Sequence, residues 1–340
     1  MLSDQGFVFE RLRRYDMAVN ALERATALAE GLGEWLELAT LCSNLASVYG
    51  RVARLELARR HARRALALNP KFEQREGVLA GVTQMHAGLY DFQAGDFGSG
   101  IRDLEAAVGC FERAGAAAAA HAGIAENHLI HAWIQLGQTA RALTLLLRGA
   151  DSLPAWVLAR RIALRGRLLR FCELPAHDWQ AGLPAERVDP HVQVSVDTER
   201  ARGLEPEAAL VMCDSIIESC GAVGFISGAM NARLARLDAP RQLAPEQAGD
   251  EAAALCADLR RLQPNDGYRP DYFWVAGRAF AAAGREAESR TAFMLAHRWI
   301  VDTALPRVPL AFRESFLQRN VVNRGVLAAA RASANSPITP

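Results

Sequence analysis

Apolar residues recur at spacings of three and four along almost the whole chain, and strict polar–apolar alternation, the mark of a half-buried strand, is almost missing. The pattern predicts helices throughout. A helical chain of 340 residues is read first for an internal period, because stacked helix pairs bury a continuous core only by repetition. In SNLASVYGRVARLELARRHARRALALNP (43–70), Leu45, Ala46 and Tyr49 lie on one predicted helix and Leu55, Ala58, Ala62 and Ala65 on the next. Pro70 ends the second helix. Small side chains at Ala46 and Ala58 allow the two helices to approach closely, and Ala65 allows the next unit to stack. Arg59, Arg60, Arg63 and Arg64 fall off the alanine stripe and are expected to face water, offset by Glu23, Glu30, Glu34 and Glu37 of the preceding helices.

The same marks recur. An earlier unit shows Gly6, Phe9, Tyr15, Ala18, Leu22 and Ala25; a third shows Gly88, Gly95, Phe97, Gly100, Leu104 and Ala107; a fourth Leu129, Trp133, Gly137, Ala142 and Leu146. Gly203, Ala208 and Met212 mark a weaker unit, Ala252, Cys256 and Pro264 a very weak one, and Ala276, Gly277, Phe280, Gly284, Ser289, Phe293 and Ala296 a clear last one. The key positions 18, 58, 100, 142, 208, 252 and 289 step by 40, 42, 42, 66, 44 and 37. Within the long step, AWVLARRIALRGRLLRF carries two apolar stripes, Val157/Leu164/Leu168/Phe171 and Leu158/Ile162/Leu169, separated by arginines, as a helix buried on two sides requires.

These positions resemble the tetratricopeptide repeat, a helix-turn-helix unit of about 34 residues. The resemblance implies an all-α, tetratricopeptide-like solenoid of about seven helix pairs wound into a superhelix. The expected organisation is an N-terminal sub-array over 1–172, an irregular loop or hinge over 173–190, a C-terminal sub-array over 191–300, capping helices over 301–332 and a disordered tail over 333–340. The closing WIVDTALPRVPLAFRESFLQRNVVNRGVLAAARA also resembles the C-termini of large bacterial transcription activators and nucleotide cyclases, in which a signalling ATPase precedes a tetratricopeptide sensor. Met1 falls inside the first predicted helix, so a fragment or the back half of a longer protein is expected.

Composition narrows the chemistry. The chain has 39 basic and 38 acidic residues, which gives no global pull towards phosphate or anionic lipid. Lys71 is the single lysine, and its setting, Asn69-Pro-Lys-Phe72, suits neither a phosphate-binding loop nor a Schiff base. The six scattered cysteines form no C-x-x-C pair and read as reduced thiols in apolar helix faces, consistent with a cytoplasmic protein. No apolar run reaches the roughly 18 residues needed to span a bilayer. His121, His128 and His131 share a helix face, but His121 lies about 10 Å along the axis from His128, too far to share an ion. The Asp96-Phe97-Gly98 tripeptide falls on a turn between repeat helices, without the strand lysine or catalytic loop of a kinase. No catalytic residue, cofactor or metal site is expected.

The functional surface of such an array is its concave side, lined by the first helix of each pair. The repeat resemblance places there Ser43, Asn44, Ser47 and Arg51, then Asn127, His128, His131 and Gln135, and in the last unit Trp274 and Arg278. The expectation is a non-catalytic module that binds a protein, a peptide or an effector, as the sensor part of a bacterial signalling or transcriptional regulator controlling an upstream ATPase or cyclase. The alternatives are a free-standing scaffold that recruits a protein partner, or an enzyme with a pocket near 173–190. Nucleic acid and membrane are not expected partners.

Overall fold

The computed structural model describes residues 9–10, 12–71, 77–148, 153–174, 178–184, 188–238 and 244–335. Gly6 of the first unit, parts of the expected hinge and residues 336–340 of the expected tail lie outside them. Among the described residues the chain forms sixteen α-helices and no strand. In order they are α1 (Tyr15–Leu32), α2 (Trp35–Arg51), α3 (Leu55–Leu68), α4 (Val78–Gln93), α5 (Phe97–Arg113), α6 (Ala119–Gln135), α7 (Thr139–Leu146) and α8 (Ala155–Phe171). There follow α9 (Pro190–Ala201), α10 (Pro206–Ala222), α11 (Ile226–Asp238), α12 (Pro245–Leu259), α13 (Arg269–Ala282), α14 (Glu286–Arg298), α15 (Arg313–Gln318) and α16 (Val321–Asn335). The architecture is an all-α, tetratricopeptide-like superhelix in which α2/α3, α4/α5, α6/α7, α9/α10, α11/α12 and α13/α14 pair.

One turn recurs inside the clear units. Arg13, Ala53, Gly95, Gly137 and Gly284 all have positive φ, between 58° and 92°. Each lies five positions before the key small residue, and the next amide donates to the carbonyl five residues back: Arg14 to Phe9, Arg54 to Tyr49, Asp96 to Asp91, Gln138 to Trp133 and Arg285 to Phe280, at 2.8 to 2.9 Å. This is the left-handed helix ending that satisfies orphan carbonyls and turns the chain sharply into the second helix. Asp96, of the kinase-like tripeptide, is the N-cap of α5 and accepts from the Ser99 amide at 3.1 Å. The two weaker units start their second helices at Pro206 and Pro245 instead.

The key positions Ala18, Ala58, Ala142, Ala252 and Ser289 are buried, and Gly100 sits so close to α4 that a Cβ there would lie 2.7 Å from that of Phe92. Ala208 is a correction. It faces solvent, and the register is one residue later, with Ala209, Cys213, Ile216 and Cys220 buried. A helix that begins on Pro206 rather than on the left-handed turn meets the core through a different residue.

A further expectation changes, and α8 adds a feature that the sequence did not show. Arg59 and Arg63 are about a third exposed, and both reach forward to Asp91 of α4, whose carboxylate is buried, while Arg64 pairs back with Glu30. In α8, arginines between the apolar stripes are themselves buried: Arg161 is fully enclosed and donates to Asn127 Oδ1, Glu126 Oε2 and the Arg148 carbonyl, while Arg167 pairs with Glu199 at 3.0 Å. Buried cations persist there because each has charged and carbonyl partners.

The chain does not run out as an open spiral. A 3.0 to 2.8 Å relay links the Asn265 amide, Ser227 Oγ and the Gly50 carbonyl, and the Gln263 amide donates to Ala53 at 2.8 Å. The segment after α14, which begins as a π-helical stretch over Trp299–Ala304, packs on α13 and α14 and also returns to the middle of the array. Ser315 Oγ donates to the Leu136 carbonyl and Asn320 Nδ2 to Gln135, both at 2.8 Å, and Phe316 meets Phe97. The second half of the chain is thus seated on the turns of the second, third and fourth units. α16 continues to Asn335, so the first residues of the expected tail are helical.

Candidate functional site

Folding back leaves a cavity of about 630 Å³ on the concave side, within the 300 to 1,000 Å³ typical of ligand sites. α2 contributes Ser47 and Arg51; α4 contributes Met85, His86, Leu89, Tyr90 and Gln93; α6 contributes Ile124, Asn127 and His128. Trp156, Val157 and Arg160 come from α8, and Asp189, His191, Val192 and Ser195 from the start of α9 and the residue before it. Phe225, Asn265 and Asp266 complete the wall from the second half.

Four of the ten groove residues named from the repeat line this wall: Ser47, Arg51, Asn127 and His128. Ser43 lies behind it, buried, with its hydroxyl 2.7 Å from His86 Nδ1. Asn44 is half-buried and outside the wall. His131 and Gln135 are buried one turn deeper, hydrogen-bonded to each other at 2.9 Å. Trp274 and Arg278 belong elsewhere: the indole packs against Gly325 and Phe293, and Arg278 lies over it while reaching Asp238 at 3.4 Å. The residues that sequence reasoning missed, among them His86, Trp156, Arg160, His191 and Asp266, come from helices and a loop whose inward faces only the fold-back defines.

Three of the wall's four charges are paired inside the protein, and the fourth, Asp189, caps a helix. Arg51 Nε donates to Glu10 at 3.1 Å, as does Ser47 Oγ at 3.3 Å. Asp189 accepts from the His191 amide at 2.9 Å. Arg160 pairs with Asp266, and Ser195 Oγ donates to the same carboxylate at 3.3 Å. Asp266 has φ of 65°, and its carbonyl accepts from Arg167 Nη1 at 2.8 Å. Against the desolvation of burial, the guanidinium groups of Arg160 and Arg167 hold the Asp266 carboxyl well below the usual carboxylate range. Arg167 Nη1 also donates to His131 Nε2 at 2.9 Å, which places the His131 proton on Nδ1 because a guanidinium only donates.

Burial, then neighbouring cations, keep the histidines neutral. Burial first and Arg51 second push His86 down to about 4, burial and Arg160 push His128 to about 3, and burial and Arg51 push His191 to about 3. His191 also meets Phe225 edge-on at 4.5 Å and Tyr15 Oη at 3.0 Å. His128 has no hydrogen-bonding partner among the described residues. Among these residues no group of three or more His, Cys, Asp or Glu side chains is placed to hold a metal ion. The six cysteines are unpaired; burial raises the thiols of Cys213, Cys220 and Cys256 to about 11, which keeps them protonated and unreactive. No described helix is long and apolar enough to cross a membrane.

Residues 1–71 match the model of the tetratricopeptide repeat family. No curated protein matches the chain. Among solved structures, the crystal structure of yeast Tom70 is similar at 12% identity, over 98% of this chain and 68% of that chain, with a TM-score of 0.27, a superposition too loose to carry an argument. The turn and the helix pairing of the matched residues 1–71 repeat beyond them, so the rest of the array is built in the manner of the tetratricopeptide repeat.

Proposed function

We propose that the chain is a non-catalytic binding module whose ligand occupies the concave cavity. Tetratricopeptide arrays are protein-interaction scaffolds, and a protein partner on the outer helices is compatible with this reading. The observation that favours a compact effector is the composition of the wall: it takes residues from α2, α4, α6, α8 and the 260–268 loop, so one bound molecule touches both halves of the chain. A ligand that binds the closed arrangement more tightly than an opened one shifts the balance between them by that difference in affinity. In the sensor of a bacterial signalling regulator, this would carry the signal to an attached ATPase or cyclase; in a free-standing scaffold it would set the affinity for a partner.

The test is a thermal-shift screen of a metabolite library against the wild type and Ser195→Trp, which fills the cavity from α9. Compounds that raise the wild-type melting temperature and leave the variant unmoved support the cavity. If every stabilising compound acts equally on both proteins, the ligand binds elsewhere and the proposal fails.

A further inference from the structure

Resting on the reading of the cavity as a ligand site, we propose that its ligand is an uncharged, flat aromatic small molecule bearing a hydrogen-bonding group such as an amide. Charge is the first argument. The wall holds two guanidinium groups, Arg51 and Arg160, and two carboxylates, Asp189 and Asp266, and each already has a partner in the protein. An ion brought into such a space loses its hydration and finds both guanidinium groups and the Asp266 carboxylate already ion-paired, with Asp189 an exposed helix cap; a neutral molecule avoids that cost.

Shape and surface are the second argument. Trp156 is 38% exposed, and Phe225 and the imidazoles of His86, His128 and His191, all partly exposed, add further ring surface. Exposed aromatic rings in a concave site are where a flat apolar body gains contact area and offset stacking. Hydrogen bonding is the third. A neutral imidazole offers one donor and one acceptor. His128 uses neither within the protein, and His86 makes one bond, through Nδ1, to Ser43. The histidines stay neutral far below pH 7 because burial holds them so. A molecule carrying both a donor and an acceptor, such as a primary amide, matches that pair of free valences; a carboxylate offers no donor and an ammonium no acceptor.

The experiment uses three probes with one ring system and three charges: 2-naphthamide, 2-naphthoate and 2-naphthylmethylammonium. Each is titrated at pH 7.5 into the full chain carrying isotope-labelled histidine, and the imidazole resonances are followed by NMR. The expected result is saturable shifts of His86, His128 and His191, with His297 unmoved, and a dissociation constant for the naphthamide at least about tenfold below those of both charged probes. His128→Phe should weaken the amide and leave the folded spectrum intact; if that variant unfolds, the wild-type ranking alone decides. Should the naphthoate or the ammonium bind these histidines as tightly as the amide, the cavity remains a ligand site and the neutral ligand is overturned. Should none of the three move the cavity histidines, both the ligand class and the cavity as an aromatic-binding site are overturned.

Discussion

Arg13 and Ala53 occupy the left-handed turn that Gly95, Gly137 and Gly284 occupy in other units. A residue with a Cβ loses about 1 to 2 kcal/mol there, while glycine costs the unfolded chain less than about 1 kcal/mol more in entropy. Arg13→Gly is therefore expected to stabilise the protein by about 0.5 kcal/mol, read from the urea midpoint. The reverse change separates backbone strain from crowding. A Cβ on Gly284 meets nothing within 4 Å, so Gly284→Ala should cost only the strain, about 1 kcal/mol. A Cβ on Gly137 would lie 2.7 Å from the Ser315 carbonyl and 2.9 Å from Arg319, so Gly137→Ala should cost about 3 kcal/mol or more and loosen the returning C-terminal helices. Equal losses for the two would mean that the C-terminal segment does not press on the fourth unit. The glycines were visible as repeat marks in the sequence; that one of them is a docking point for a residue nearly 180 positions away was not, since no local pattern records it.

At the scale of the element, the small residues decide how closely helices cross. α4 and α5 meet at Gly88 and Gly100, where a Cβ on either would fall under 3.0 Å from the facing backbone. Gly100→Ala gains about 1 kcal/mol of helix propensity but forces the pair apart, and the expected net is a loss of about 1 to 2 kcal/mol in chemical denaturation. A stabilised variant would show that the crossing has room for a methyl group. The helix pairs, their turns and most key positions were legible because the period is carried by residue size. The fifth unit was misplaced by one residue because Ala208 and Ala209 are adjacent alanines, indistinguishable by size, and only the Pro206 start of the helix selects the second. The burial of the α8 arginines was not legible for a related reason: their partners Glu126 and Glu199 lie more than thirty positions away.

At the scale of the molecule, stability and the cavity are linked through protons. The histidines His86, His128 and His191 have folded-state values near 4, 3 and 3, below the ordinary value of about 6.5. The unfolded chain therefore binds more protons below pH 6.5, so their contribution is full above that pH and is lost as pH falls towards 4. Each is expected to lower stability by up to about 1.4 kcal/mol per pH unit in that window. Asp266 and Glu199, whose folded values are depressed, add their loss only below about pH 4. Urea midpoints measured from pH 7.5 to 5 should fall steadily in the wild type and less steeply in His128→Gln; a flat profile would mean that the imidazoles are open to water.

The concave side itself was anticipated, but its conversion into a cavity depends on the 260–268 loop reaching the second unit, a contact between residues about 210 positions apart. Amide hydrogen exchange at Gln263 tests it most directly, because this amide lies outside any helix and its partner is the Ala53 carbonyl. The closed superhelix predicts exchange slowed at least about a hundredfold relative to an unstructured amide. Exchange at the unstructured rate, with the helices still protected, would contradict the closure and the cavity that depends on it.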